Sequence, residues 1–140
     1  KNMSNIKGRN TAPERILRSL LFKEGYRFRL HDKKLPGHPD IVMKRYRAVI
    51  LVHGCFWHRH PGCRDATMPK SNTAFWQAKF RANQERDTRN IRQLIELNWN
   101  VIIVWECQLR TFQKEGIRLI KEILTLCEKE KDAKLYEIGD

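Results

Sequence analysis

Two short runs rich in β-branched residues, "RAVILVH" at 47–53 and "WNVIIVWE" at 99–106, constrain the fold of this chain most. Each is apolar at consecutive positions rather than alternate ones, as a strand covered on both faces would be. Between them, residues 73–97 read as one long helix, with Trp76, Phe80, Asn83, Asp87, Ile91 and Leu94 on one stripe. A helix between two buried strands makes a crossover, which lets the second strand lie parallel to an earlier one. "DIVM" and "RAVILVH" flank the turn "KRY" and form a short hairpin, while "YRFRL" alternates like a strand with one buried face.

Another helix opens at "TAPE", residues 11–14. Thr11 is its cap, Pro13 fits the first turn and Glu14 falls where a capping box needs it. Ile16, Leu17, Leu20 and Leu21 form the helical stripe, and Gly25 stops it. Residues 114–128 make an amphipathic helix through Ile117, Ile120, Ile123, Leu124 and Cys127. The order helix, three strands, helix, strand, helix predicts an α/β fold with one mixed sheet flanked by helices. Residues 1–140 are expected to form a single domain, with 1–10 a flexible basic arm; the tail from Lys129 is given no element.

Charge narrows the partner. Lys and Arg number 28 against 16 Asp and Glu, a net +12, which favours a polyanion: nucleic acid first, an acidic membrane surface second. No apolar run is long enough to span a bilayer, and "KNMSNIKGRN" has no apolar signal core. The expectation is a cytoplasmic monomer in which cysteines serve as metal ligands rather than disulfides.

The chemistry is concentrated in "VHGCFWHRHPGC", residues 52–63. Cys55, His60 and Cys63 have the spacing C-x4-H-x2-C, and thiolates with an imidazole make a closed, structural zinc site. A fourth ligand must come from elsewhere. Cys107, at the end of a strand, is in a position to supply it, and His53 and His58 compete as ligands. Asp40 stands at a strand mouth, where a carboxylate suits Mg²⁺ or simply caps a turn. His53 ends the adjoining strand. Together they suit metal-assisted phosphodiester hydrolysis with a histidine as base.

Asp87, on the stripe of the long helix, needs a partner: His58, which it would orient, or an arginine. Glu14 either completes the capping box or faces a metal-bound water. Phe56 and Trp57, if on a strand, point in opposite directions, one inward and one free to stack on bases; the plainer alternative is that both are core. Met3, in the basic arm, could serve similarly, the simpler reading being a mobile terminus.

With these residues laid out, the sequence resembles the very-short-patch repair endonucleases, bacterial enzymes that nick DNA at T:G mismatches. The resemblance rests on "KNMSNIKGRNTAPE", "LPGHPDIV", "VHGCFWHRHPGC", "FW" followed by "NQERD", and "NVIIVWEC", in that order from residue 1 to 107. It implies a restriction-endonuclease-like fold and a nick 5′ of the mismatched thymine in double-stranded DNA. Asp40 and the backbone carbonyl of Val52 would hold a catalytic Mg²⁺. His58 would be the general base, oriented by Asp87, with His53 beside the scissile phosphate and Glu14 in the outer water network. Cys55, His60, Cys63 and Cys107 would hold a structural Zn²⁺. Met3, Phe56 and Trp57 would insert beside the mismatch.

The family usually has Thr where Val52 stands, and one extra residue precedes Cys63 here. A lysine common in the wider nuclease superfamily has no counterpart in "RAVILVHG", so histidine would take its place. A repair enzyme of this kind would work at the nucleoid, with other repair proteins as possible partners. The alternatives are a restriction-type or other repair nuclease with different recognition, and a non-enzymatic, zinc-stabilised DNA-binding domain.

Overall fold

A computed structural model describes residues 11–111 and 113–138. In chain order the elements are α1 (Ala12–Lys23), β1 (Arg29–Leu30), β2 (Ile41–Met43), a 3-10 turn (Lys44–Tyr46), β3 (Ala48–His53), α2 (Thr73–Glu96), β4 (Asn100–Trp105), α3 (Glu106–Thr111), α4 (Gln113–Lys129) and β5 (Leu135–Glu137). The five strands form one sheet in the order β1-β2-β3-β4-β5. β1, β2 and β3 pair antiparallel, and β4 joins β3 in parallel, with Ala48 opposite Asn100 and His53 opposite Trp105. The fold is therefore α/β, with the expected mixed sheet and crossover.

Alternation along the central strands splits the core between two faces. Ile41, Met43, Ala48, Ile50, Ile102 and Val104 meet Leu17 and Leu21 of α1 and Ile120 and Leu124 of α4. Val42, Val49, Val101, Ile103 and Trp105 meet Leu94 of α2, with Cys55 and Trp99. Every residue of β4 is buried, which is why its sequence shows no polar alternation.

Several expectations need correction. "YRFRL" contributes only the two-residue strand Arg29–Leu30, both exposed; Tyr26 and Phe28 pack on the core from outside it. The segment expected to be a loop after β4 begins with α3. The tail holds a fifth strand, parallel to β4 through Val101–Leu135 and Ile103–Glu137. Thr11 caps α1 in an extended conformation but its side chain makes no capping bond, and Glu14 closes no capping box. Gly25 does stop α1: at φ +95° it sits in a Schellman turn, with the Gly25 N–H donating to Phe22 O at 3.0 Å and the Tyr26 N–H to Leu21 O at 3.1 Å. The expected arm at 1–10, with Met3, lies outside the described residues. Among the described residues no helix is long and apolar enough to cross a membrane.

Candidate active site and metal centre

The ends of β2 and β3, the start of α1 and the middle of α2 converge on one cleft of about 1300 Å³. Asp40, just before β2, turns Oδ2 to accept the Val52 N–H at 2.7 Å. That bond ties the carboxylate to the neighbouring strand and fixes its orientation. Burial raises the Asp40 carboxyl to about 7; Glu14 adds to the rise and the Val52 N–H opposes it. The loop "LPGHP" that delivers Asp40 is seated on α2. A Cβ at Gly37 would come within 2.9 Å of the Asn90 amide, and the φ of +74° there also favours glycine.

Glu14, instead of capping α1, is buried beside the cleft, where its Oε2 lies 2.9 Å from His31 Nε2. His31 Nε2 is also 4.0 Å from Asp40 Oδ1.

Next to these groups stand His53, His58 and Asp87. His58 Nδ1 is 2.5 Å from Asp87 Oδ2, so α2 supplies the acceptor that holds the ring. A proton on Nδ1, donated to Asp87, leaves Nε2 with a free lone pair. The alternative partner for Asp87, an arginine, is not the one it takes at this contact. The rings of His53 and His58 stack with centroids 3.9 Å apart and planes 6° from parallel. Burial, aided by the neighbouring His58 and opposed by Asp87, lowers His53 to about 3, so this imidazole is neutral near pH 7.

The thiol cluster is separate. One ligand atom from each of Cys55, His60, Cys63 and Cys107 lies within 4.8 Å of the others. His60 Nδ1 is 3.6 Å from Cys55 Sγ and 3.5 Å from Cys107 Sγ. A tetrahedron with the usual Zn–S and Zn–N lengths has an S···N edge of about 3.6 Å, so this donor set fits zinc in chemistry and in size. Burial pushes Cys55 up to about 12; the Cys107 N–H opposes the rise and the adjacent thiols add to it, and burial raises Cys107 as well. Thiolates gathered there need a positive charge among them. Thus His60, not His53 or His58, sits with the cysteines, and Cys107 supplies the fourth position.

Trp105, at the end of β4, touches both clusters. Its ring stacks on His60 at 4.2 Å and meets His53 edge-on at 5.3 Å. Its indole N–H donates to Glu137 of β5 at 2.8 Å. A continuous run of rings therefore joins the thiol cluster to the His58–Asp87 pair.

Phe56 and Trp57 lie in a turn rather than a strand, so they do not point apart. Their centroids are 5.2 Å apart, both are half-buried and both line the cleft. Trp76 and Phe80 of α2 pack edge-on against Phe56 at 5.6 and 5.2 Å. The α2 stripe is thus core at Phe80 and Leu94, while Asn83 and Asp87 on it face the cleft.

Comparison with known proteins identifies what these clusters belong to. The family model for the DNA mismatch endonuclease Vsr matches residues 1–65. The chain is 51% identical to the DNA mismatch endonuclease Vsr of Escherichia coli over 114 residues, 81% of this chain and 72% of that protein. It is also 50% identical to the type II nicking enzyme V.XorIIP of Xanthomonas oryzae over 76% of this chain and 78% of that enzyme. The type II nicking enzyme V.NmeAIP of Neisseria meningitidis is 43% identical over 86% of this chain and 88% of its own length. The chain belongs to the Vsr family of DNA mismatch endonucleases. It is a DNA endonuclease, which removes the non-enzymatic alternative, and DNA is its substrate.

Within this Vsr-family chain, three residues at the site carry no mark in the sequence. His31 stands in a polar turn, where a histidine has no pattern to distinguish it. Trp76 reads only as core stripe. Arg59 clamps the Cys/His loop: its guanidinium donates to Phe56 O, Ala66 O and Thr67 O and lies 4.0 Å over the Phe80 ring. Nothing local in "HRHPGC" separates that arginine from a solvated one.

Proposed function

We propose that this chain is a Mg²⁺-dependent, strand-specific endonuclease that nicks duplex DNA on the 5′ side of the thymine in a T:G mismatch. The observation that carries the reading is the His58–Asp87 pair stacked on His53, next to Asp40 and apart from the thiol cluster. That separation supports a division of labour between hydrolysis and bracing. The restriction-endonuclease-like fold is part of the same reading, supported by a mixed sheet with its acidic residue at a strand mouth.

Asp40 and the Val52 carbonyl would hold Mg²⁺, and Glu14 would order water around it. Hard oxygen donors and few protein ligands suit that ion when phosphate oxygens complete its shell. Bound there, Mg²⁺ would polarise the phosphate and stabilise the leaving oxygen. His58 Nε2 accepts the proton of the attacking water, and Asp87 stabilises the imidazolium that results. His53, neutral at working pH, sits beside the scissile phosphate as a hydrogen-bonding partner. Cys55, His60, Cys63 and Cys107 hold Zn²⁺, which stiffens the loop that carries Phe56, Trp57 and His58. Phe56 and Trp57, with Met3, enter the duplex at the mismatch, where unstacking costs least.

The test is incubation of a T:G duplex and its T:A control with Mg²⁺. A nick confined to the thymine strand of the T:G duplex is expected. Equal cutting of both would point instead to a nuclease of different recognition. The protein would act as a monomer on chromosomal DNA in the cytoplasm, and gel filtration of the protein–duplex complex would check the stoichiometry.

A further inference from the structure

His31 has no part in the hydrolytic scheme above, yet it faces both carboxylates of the site. Its Nε2 lies 2.9 Å from Glu14 Oε2 and 4.0 Å from Asp40 Oδ1. Asp40 Oδ2 is already occupied by the Val52 N–H, so Oδ1 is the oxygen left for a ligand. One ligand atom each from Glu14, His31 and Asp40 lies within 4.8 Å of the others. Around a six-coordinate ion with bonds near 2.1 Å, adjacent ligands are about 3.0 Å apart and opposite ones about 4.2 Å apart. The two observed distances fall at those two separations.

The backbone holds the imidazole there. The His31 N–H donates to Asp40 O at 3.3 Å, which extends the β1–β2 register one pair beyond Leu30–Ile41. His31 adopts φ +47°, a left-handed conformation that the turn imposes on a non-glycine residue. Glu14 is buried on α1, while His31 and Asp40 flank the paired ends of β1 and β2.

We propose that Glu14, His31 and Asp40 form a mixed nitrogen–oxygen site that can coordinate a transition-series divalent cation directly, in place of the Mg²⁺ that Asp40 would hold in the reaction, with Mn²⁺ as the ion that reports it. This rests on the reading of Asp40 as the metal carboxylate; with a transition-series ion in place of Mg²⁺, Glu14 moves from the water shell to the metal itself. Two carboxylates balance a divalent charge, and a neutral imidazole adds no charge to be compensated. Imidazole favours transition metals over Mg²⁺, which prefers oxygen and gives up its water reluctantly. The predicted consequence is a site that discriminates for Mn²⁺ through His31 alone.

The experiment titrates Mn²⁺ into the full-length, zinc-loaded protein without DNA. Electron paramagnetic resonance follows the free ion, and Mg²⁺ competition gives the second affinity. Wild type, His31→Gln and Asp40→Asn are compared after zinc content and melting temperature are shown to match. Glutamine keeps a donor for Glu14, so packing is preserved.

His31→Gln should weaken Mn²⁺ by at least about tenfold, the lower end of what losing even an outer-shell partner costs. It should change Mg²⁺ little, and the nitrogen modulation of the bound Mn²⁺ echo should disappear. Wild-type Mn²⁺ affinity in His31→Gln, equal weakening of both ions, or surviving nitrogen modulation would overturn the assignment of His31. Undiminished binding of both ions by Asp40→Asn would instead overturn the underlying reading of Asp40, so the two failures are distinct.

Discussion

Asp40 and His58 line one cleft, and the proposed reaction would set them to different tasks. Burial disfavours the charge on Asp40, and its carboxyl is raised to about 7 from an ordinary value of 3.8. Between those two values the folded protein binds a proton that the unfolded chain has released. Without divalent metal, that contribution makes stability fall as pH rises from about 4 to 7, and it levels off above. Asp40→Asn removes the effect while its amide oxygen can still accept the Val52 N–H. The variant should therefore melt higher than metal-free wild type at pH 8 and close to it at pH 4, and it should lose most of the thermal gain that Mg²⁺ gives wild type. Calorimetry at the two pH values checks this, and an equal gap at both would show that desolvation of Asp40 is not the cause. In the proposed reaction Asp87 would act on the base rather than on the metal. Asp87→Asn keeps the shape but favours the wrong tautomer of His58, so the nicking rate should fall by about 10²–10⁴. Affinity for the T:G duplex should hold. A rate within a few-fold of wild type would mean that His58 is oriented by something else.

At the scale of elements, what the sequence revealed depended on whether a signal was local. β3, β4 and α2 were legible because burial on both faces and helical spacing are written in consecutive residues. The tail strand Leu135–Glu137 was not, because its residues are exposed or half-buried and it is held by pairing with β4 rather than by an apolar run. α3 follows β4 without a break, so no turn signal separates it from the strand. At the site, the Cys/His spacing named three zinc candidates, but only tertiary proximity distinguishes His60 from its neighbours and brings Cys107, 47 positions away, to its ring. Glu14 was misleading for a related reason: a capping box and an inward-facing carboxylate look alike until the fold supplies His31. The thiol cluster and the histidine pair are joined through Trp105, so damage to one should reach the other. Cys63→Ser should cost more than about 4 kcal/mol of stability, the range in which loss of a metal site falls. A chelator should lower the melting point of wild type far more than that of the variant. Denaturant unfolding with zinc analysis checks both, and an unchanged midpoint would remove Cys63 from the ligand set.

Over the whole molecule, a charge of +12 acts through the cleft's rim as much as through total attraction. Lys33, Lys79, Arg86 and Arg89 all line the cleft that holds Asp40 and His58. The carboxylates at its floor would repel a phosphate backbone unless cations flank them, so the basic rim would let the proposed hydrolytic centre meet DNA. Lys33 comes from the loop after β1, and Arg89 comes from α2, so a duplex touching both would straddle the strand mouths. Phosphate contacts give affinity and register but no sequence information, whereas the proposed insertion of Phe56 and Trp57 would depend on how readily a base step opens. The two contributions should therefore separate. Lys33→Ala and Arg89→Ala together should weaken binding to T:G and T:A duplexes by the same factor. They should also reduce the slope of log affinity against log salt by about 2, one for each phosphate that is no longer neutralised. Phe56→Ala should leave that slope alone and reduce the preference for the mismatch. Fluorescence anisotropy on both duplexes across a salt series measures both quantities. A double variant whose T:G preference collapses while its salt slope stays that of wild type would place mismatch reading on the rim and not on the aromatic pair.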